Sequence, residues 1–248
     1  VWKLPFMNNT TLTISNLNGI HKSEQTIRDI EITLKEHQSM VIFGANGAGK
    51  TSLLRAIMGL DKISSGTIQM NGQNFHTMST RQRAHLGIGY CPEGRRLFPG
   101  LTVWETLAVS FSGKKAERDQ RIEEIFELLP ALKIKKGDRA WSLSGGQQQM
   151  LAIARATINT PKLILLDEPT LGLSPVMIDE IMEIIGSIKK NGATIIMAEQ
   201  KIEPSLSIGD LVIVLSRGEI IYKGPGDDID PDQIASMVMT GSFEPLYN

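Results

Sequence analysis

Eight residues carry the first chemistry that spacing alone can suggest: Gly44-Ala45-Asn46-Gly47-Ala48-Gly49-Lys50-Thr51, followed directly by Ser52. Glycines at three of these positions let the backbone turn tightly enough to aim several N–H groups at one anion. The apolar run Met40-Val41-Ile42-Phe43 precedes them, and Ser52-Leu53-Leu54-Arg55-Ala56-Ile57-Met58 comes next with a helical pattern. Strand, glycine turn and helix form the setting in which G-x-x-x-x-G-K-[ST] is a phosphate-binding loop. A helix starting at Lys50 adds its positive end at the same point. Lys50 would reach the β- and γ-phosphates, and the Thr51 hydroxyl would ligate magnesium. Residues 44–52 therefore imply a bound nucleoside triphosphate.

Two further stretches fit the same chemistry. In Leu163-Ile164-Leu165-Leu166-Asp167-Glu168, four apolar residues end in two acids. A buried strand of this kind delivers Asp167 to the sheet edge, where it can hold magnesium. Glu168, one residue on, is placed to polarise a water for attack on the γ-phosphate. Leu143-Ser144-Gly145-Gly146-Gln147 is a second anion site, with a serine hydroxyl, glycine N–H groups and the start of a helix behind them. A chain with one nucleotide loop has little use for two phosphate sites. The economical reading is that Ser144, Gly145, Gly146 and Gln147 complete the pocket of another subunit.

With these motifs in order, the sequence resembles the ATP-binding-cassette (ABC) ATPases, whose signature is LSGGQ and which act as sandwich dimers. The resemblance implies an α/β P-loop NTPase fold: a RecA-like parallel-sheet core, an N-terminal antiparallel β subdomain and an inserted helical subdomain. Residues 1–248 would form one such domain, with the helical part at about 93–155. It further implies ATP and Mg2+ as ligands, with Lys50 and Glu168 acting in catalysis. Glu93, in Pro92-Glu93-Gly94-Arg95-Arg96, takes the place where the family usually carries a metal-contacting glutamine. A glutamate there can still ligate the metal but adds negative charge. Gln200, in Ala198-Glu199-Gln200, takes the place of the usual switch histidine that contacts the γ-phosphate. It can donate a hydrogen bond but cannot titrate. His21 falls near the position of an adenine-stacking aromatic, and a plain surface histidine is the other reading.

The stretches PEGRR-L-F-P-G-L-T-V and E-P-T-L-G-L-S-P, with a closing A-E-Q, resemble the smaller ATPase subunit of branched-chain amino-acid (Liv-type) importers. Urea importers are close neighbours, and a soluble, non-transport ABC ATPase acting as a nucleotide-dependent switch is the rival class. The Liv-type resemblance implies a second ABC ATPase subunit, transmembrane permease subunits and, indirectly, a solute-binding protein. The chain would then sit peripherally on the cytoplasmic face of the inner membrane.

The elements that must position these residues can be read from periodicity. Strands are expected at 12–17, 27–34, 40–43, 67–70, 86–90, 163–166, 194–197 and 211–215, the last pairing with 219–222. Helices are expected at 50–58, 102–110, 116–129, 144–158, 176–190 and 231–241. The stripe Ile122, Ile125, Phe126, Leu128 and Leu129 reads as core packing, and Phe98 and Trp104 either pack within the helical part or meet a membrane subunit.

Composition sets outer bounds. With 26 basic and 27 acidic residues the net charge is −1, which gives no reason to expect nucleic acid as a partner. The single cysteine, Cys91, excludes an internal disulfide and is expected to be a small buried side chain. No apolar run is long enough to span a bilayer. Val1 to Phe6 carry no signal-peptide pattern, and Met7 is expected to be the natural start.

Overall fold

A computed structural model describes residues 12–243, so the expectation for Met7 and the residues before it lies outside the described part. The chain forms two sheets. The smaller contains β1 (Leu12–His21), β2 (Glu24–Leu34), β4 (Lys62–Met70) and β5 (Gln73–Asn74), all antiparallel, in the order β2-β1-β4-β5. The larger joins β3 (Ser39–Phe43), β6 (Ile88–Cys91), β7 (Leu163–Asp167), β8 (Thr194–Ala198), β9 (Leu211–Ser216) and β10 (Glu219–Pro225). Its order is β10-β9-β3-β8-β7-β6, parallel except for the β10 edge.

The central strands show why their sequences are apolar throughout rather than alternating. Every residue of β3, β7 and β8 is buried. Val41, Phe43, Ile164, Leu166, Ile195 and Met197 belong to the core on one face of the sheet. Met40, Ile42, Leu163, Leu165, Ile196 and Ala198 belong to the core on the other. Successive side chains point to opposite faces, and both faces are covered. On one face lies α1 (Lys50–Met58) with the small sheet; on the other lie the helices of the second half.

Between β6 and β7 the chain is helical: α3 (Val103–Ser110), α4 (Lys115–Leu128), α5 (Pro130–Ile134) and α6 (Gly145–Thr157). Before β6 comes α2 (Thr80–His85), which periodicity does not announce. After β7 come α7 (Pro175–Lys190), α8 (Ile202–Leu206) and α9 (Pro231–Thr240). Thr102 forms a capping box on α3, and Ser144 forms one on α6. Several boundaries differ from the sequence expectation, β1 running on to His21, β2 starting at Glu24 and β10 reaching Pro225, and two of the shifts have a plain cause. β4 starts at Lys62, through Ser64-Ser65-Gly66, because pairing with β1 outweighs the local loop preference of those residues. β6 starts at Ile88 because Leu86 still closes α2 and Gly87 has φ 97°.

The loop helix α1 is held at its far end by a residue the sequence hides. Arg83 on α2 is 2% exposed. Its guanidinium donates to the carbonyls of Ala56 (2.7 Å), Ile57 (2.8 Å), Met78 (2.9 Å) and His76 (2.6 Å). It thus covers the negative end of the helix whose positive end follows the glycine loop. A side chain on Gly59 would run into this guanidinium, 2.8 Å from Nε, and Gly59 also has φ 75°. Arg83→Met keeps the bulk but strands these carbonyls. We expect it to cost about 2–4 kcal/mol in denaturant unfolding, since each buried acceptor left unpaired costs about 1–3 kcal/mol and relief of a buried charge offsets part. A loss below about 0.5 kcal/mol, the level of an ordinary surface substitution, would show that the clamp is idle.

Candidate functional site

Four neighbouring parallel strands deliver the chemistry to one edge. Register pairs Ile42 of β3 with Ala198 of β8, Ala198 with Asp167 of β7, and Leu166 with Cys91 of β6. Their carboxyl ends therefore line up. The glycine loop leaves β3 after Phe43, Glu168 comes directly after Asp167, Glu199-Gln200 after Ala198 and Pro92-Glu93 after Cys91. Ligands of open parallel sheets bind at this edge.

Before it lies a cavity of about 850 Å³ lined by Asn46 to Ser52, Glu93, Glu168, Leu171 and Gln200. The three loop glycines are needed for different reasons. Gly47 has open space around it but φ 80°, whereas Gly49 combines φ 108° with the Thr26 carbonyl 2.8 Å from where a Cβ would sit. Gly44 is pressed against the Leu215 carbonyl. No side chain caps the N-terminus of α1, which leaves its first N–H groups to an anion.

Lys50 is 4% exposed and folds back over the loop. Its Nζ donates to the Gly44 carbonyl (2.9 Å) and the Ala45 carbonyl (3.3 Å), and stands 3.4 Å from Glu168 Oε1. Glu168 in turn accepts from Gln200 Nε2 at 2.7 Å on each carboxylate oxygen. Its backbone has φ 47°, a conformation that costs a non-glycine residue on the order of 1–3 kcal/mol and gathers at functional sites.

The oxygen donors suit a hard divalent cation. The Thr51 hydroxyl donates to Asp167 Oδ1 at 3.0 Å, and the Tyr90 hydroxyl donates to Oδ2 at 3.2 Å. Burial pushes the Asp167 carboxyl above the usual carboxylate range; these two hydrogen bonds hold it back, and the charges of Glu93 and Glu168 add to the rise. Three acids thus converge where the loop offers one lysine. Among the described residues no three His, Cys, Asp or Glu side chains gather into a self-sufficient metal site. The arrangement fits a cation that draws its remaining ligands from phosphate oxygens and water, as magnesium does.

The structure separates other expected residues from this cavity. His21 does not line it: Nδ1 lies 2.9 Å from Asp61 Oδ1, in a different recess with Lys22, Arg55 and Lys62. The buried Asp61 carboxylate also accepts from Arg55 at 2.9–3.0 Å, and the hydrogen bond to it holds the imidazole in this recess. The serine turn is also elsewhere. Ser144 and Gly145 are exposed, Gly146 is buried where a methyl would strike Met177, and none of the residues from Ser144 to Gln147 lines the cavity. Within the turn, Ser144 Oγ accepts from the Gln147 N–H (3.3 Å) and the Ser144 N–H donates to Gln147 Oε1 (3.1 Å). Cys91 is buried, burial pushes its thiol up to about 12, and Gln149 lies beside it. Trp104 packs in the helical part with Arg118 4.8 Å above its ring, while Phe98 is exposed.

Several contributors carry no local signal. Gln25, Thr26 and Arg28 of β2 and Arg217 of the β9–β10 turn form a wall of the cavity. The Arg28 N–H donates to the Gly218 carbonyl at 2.8 Å, a contact between β2 and the β9–β10 turn, far apart in sequence. Glu199 had a signal, an acid at the end of an apolar strand, like that of Asp167. It is 2% exposed and accepts from the Thr170 N–H (2.8 Å) and the Gln200 N–H (3.0 Å). It therefore ties the backbone after Glu168 to that of Gln200. Burial pushes its carboxyl up, against the pull of those N–H groups.

The sequence profile described as "ABC transporter" matches residues 27–171. The high-affinity branched-chain amino acid transport ATP-binding protein BraG of Pseudomonas aeruginosa is 37% identical, over 87% of this chain and 93% of its own. The lipopolysaccharide export system ATP-binding protein LptB of Haemophilus influenzae is 31% identical, over 93% of this chain and 97% of its own. Among solved structures, the ATP-binding cassette MJ1267 of an ABC transporter superposes with a TM-score of 0.82 at 23% identity, covering 93% of this chain and 98% of that one. The cassette MJ0796, solved as a dimer bound to ADP and phosphate, does so with a TM-score of 0.76 at 25% identity, covering 86% and 98%. With the nucleotide loop, the paired acids and the serine turn set out on this fold, the chain belongs to the ABC transporter family and is one of its ATPases.

Proposed function

We propose that the chain is the ATP-hydrolysing subunit of an ABC importer for branched-chain or related amino acids, held at the cytoplasmic face of a membrane by permease subunits. The carrying observation is the convergence of Lys50, Thr51, Glu168 and Gln200 on one cavity, with Asp167 hydrogen-bonded to Thr51, in a chain 37% identical to BraG. No described helix is long and apolar enough to cross a membrane, so the translocation path would belong to other chains.

The loop from Gly44 to Ser52 would hold the triphosphate, with Lys50 leaving the Gly44 and Ala45 carbonyls for phosphate oxygens. Mg2+ would be held by Thr51 and Asp167 with Glu93 beside them, and when bound it would neutralise phosphate charge. Glu168 would take a proton from water as the water oxygen bonds to the γ-phosphorus. The bond from that phosphorus to the bridging oxygen breaks, and ADP and phosphate leave. Gln200 would hold both oxygens of the Glu168 carboxylate in place through Nε2. Ser144 and Gly146 of a second ATPase subunit, whether a copy or a relative, would close over the γ-phosphate. Closure favoured by ATP and released by hydrolysis is a population shift that permease subunits can follow.

Cargo would be chosen by a solute-binding protein and permease. Uptake of labelled leucine, isoleucine and valine by cells lacking this chain tests the assignment. Uptake should fall to background, return with the intact chain and fail to return with Glu168→Gln. Unchanged uptake of all three with loss of urea uptake would move the chain to the urea/amide importers. No change in any uptake would favour the non-transport switch.

A further inference from the structure

The stretch after Glu93 is built in an unusual way. Gly94, Arg95 and Arg96 have φ values of 75°, 64° and 46°, three successive residues in the left-handed region. Residues with side chains visit that region singly, so such a run needs outside support. Arg155, on the last turn of α6, supplies it: Nη1 donates to the Arg96 carbonyl at 2.6 Å and Nη2 to the Arg95 carbonyl at 3.1 Å.

The strained turn aims the Arg95 side chain back at the first turn of the same helix. Arg95 Nη1 donates to Gln148 Oε1 at 2.9 Å. The Gln148 amide then donates to the carbonyls of Ala140 (3.0 Å) and Leu143 (3.3 Å), the latter joined directly to Ser144. Arg95 Nη2 would lie 3.2 Å from a Cβ on Gly145, so the guanidinium roofs that glycine. Two arginines pointing in opposite directions thus staple residues 93–96 to both ends of α6.

We infer that Arg95 is a positioning residue for the Ser144 turn: through Gln148 it fixes the half-site offered to a partner's triphosphate and ties it to Glu93 at the chain's own. The inference rests on the reading of Ser144-Gly145-Gly146 as a site completed across a subunit boundary. Arg95 itself need not touch nucleotide. Its fork matters because it bonds Gln148 with one nitrogen while covering Gly145 with the other, which the single ammonium of lysine cannot do.

The test compares ATP binding by the isolated full chain with ATP hydrolysis by the complex recovered on this chain from its native membrane. For Arg95→Ala, ATP affinity of the isolated chain should be unchanged, because its own loop is untouched. The kcat of the complex should fall about 10²-fold with a smaller change in KM, the cost expected when a positioned group is misplaced by about 1 Å. Gln148→Ala should show the same split, and the double variant should be no worse than either single one, because the pair acts as a unit. Arg95→Lys should not rescue. Four results overturn the inference: kcat within about twofold of the parent for Arg95→Ala, rescue by lysine, additive losses in the double variant, or a fall in the isolated chain's ATP affinity. Ser144→Arg reports on the underlying reading. If it is fully active, the cross-subunit site itself fails; if it is inactive while Arg95→Ala is active, only the role of Arg95 fails.

Discussion

Glu168→Gln is expected to lower the ATP turnover of the assembled complex by about 10²–10⁴-fold, the usual cost of removing a general base. ATP binding should persist. In the free chain the Glu168 carboxylate stands 3.4 Å from Lys50 and accepts both of its close hydrogen bonds from Gln200. An amide at position 168 removes a negative charge that competes with phosphate for Lys50, so KM for ATP should hold or fall while kcat collapses. That split marks an interaction made in the transition state rather than in binding. Turnover within about twofold of the parent would remove Glu168 from the water-activating role.

Lys50→Ala is expected to weaken ATP binding by about 10²-fold or more, because hydrogen bonds to a charged group contribute about 1.5–3 kcal/mol each and lysine offers several. The same ammonium holds the Gly44 and Ala45 carbonyls and faces Glu168, so the loop is folded around a cation. The fold should survive, since α1 is anchored at its far end by Arg83 and packed through Leu53, Leu54 and Ile57. The clearest readout is thermal unfolding with and without ATP. The parent should gain stability as ATP rises above its Kd, and the variant should not. Equal ATP-dependent stabilisation in both would dismiss the loop as the phosphate site.

The motifs and their chemistry were legible because each is encoded within a few adjacent residues. A glycine turn between strand and helix, acids at the end of an apolar strand, and a serine-glycine turn opening a helix are local patterns, and the structure forms each of these elements at its expected place. The central strands were legible for the same reason, since burial on both faces leaves a continuous apolar run. Strand ends and short helices were less so. Ser64-Ser65-Gly66 joins β4 only because β1 is there to pair with it, and α2 has too few turns to show a period.

Residue order alone thus sets which groups the proposed triphosphate site would draw on: an N–H cradle, one lysine, one hydroxyl, two acids and a serine turn. Which of them meet is settled by packing. Strand register sets Glu93, Asp167, Glu168 and Gln200 side by side, across separations no local pattern spans. The same packing turned His21 toward Asp61 instead of the nucleotide cavity, buried Glu199 between two backbone segments, and set Arg83 and Arg121 over the carboxyl ends of α1 and α6. Each outcome depends on which buried charge or free carbonyl lies within reach, and reach is a property of the folded chain.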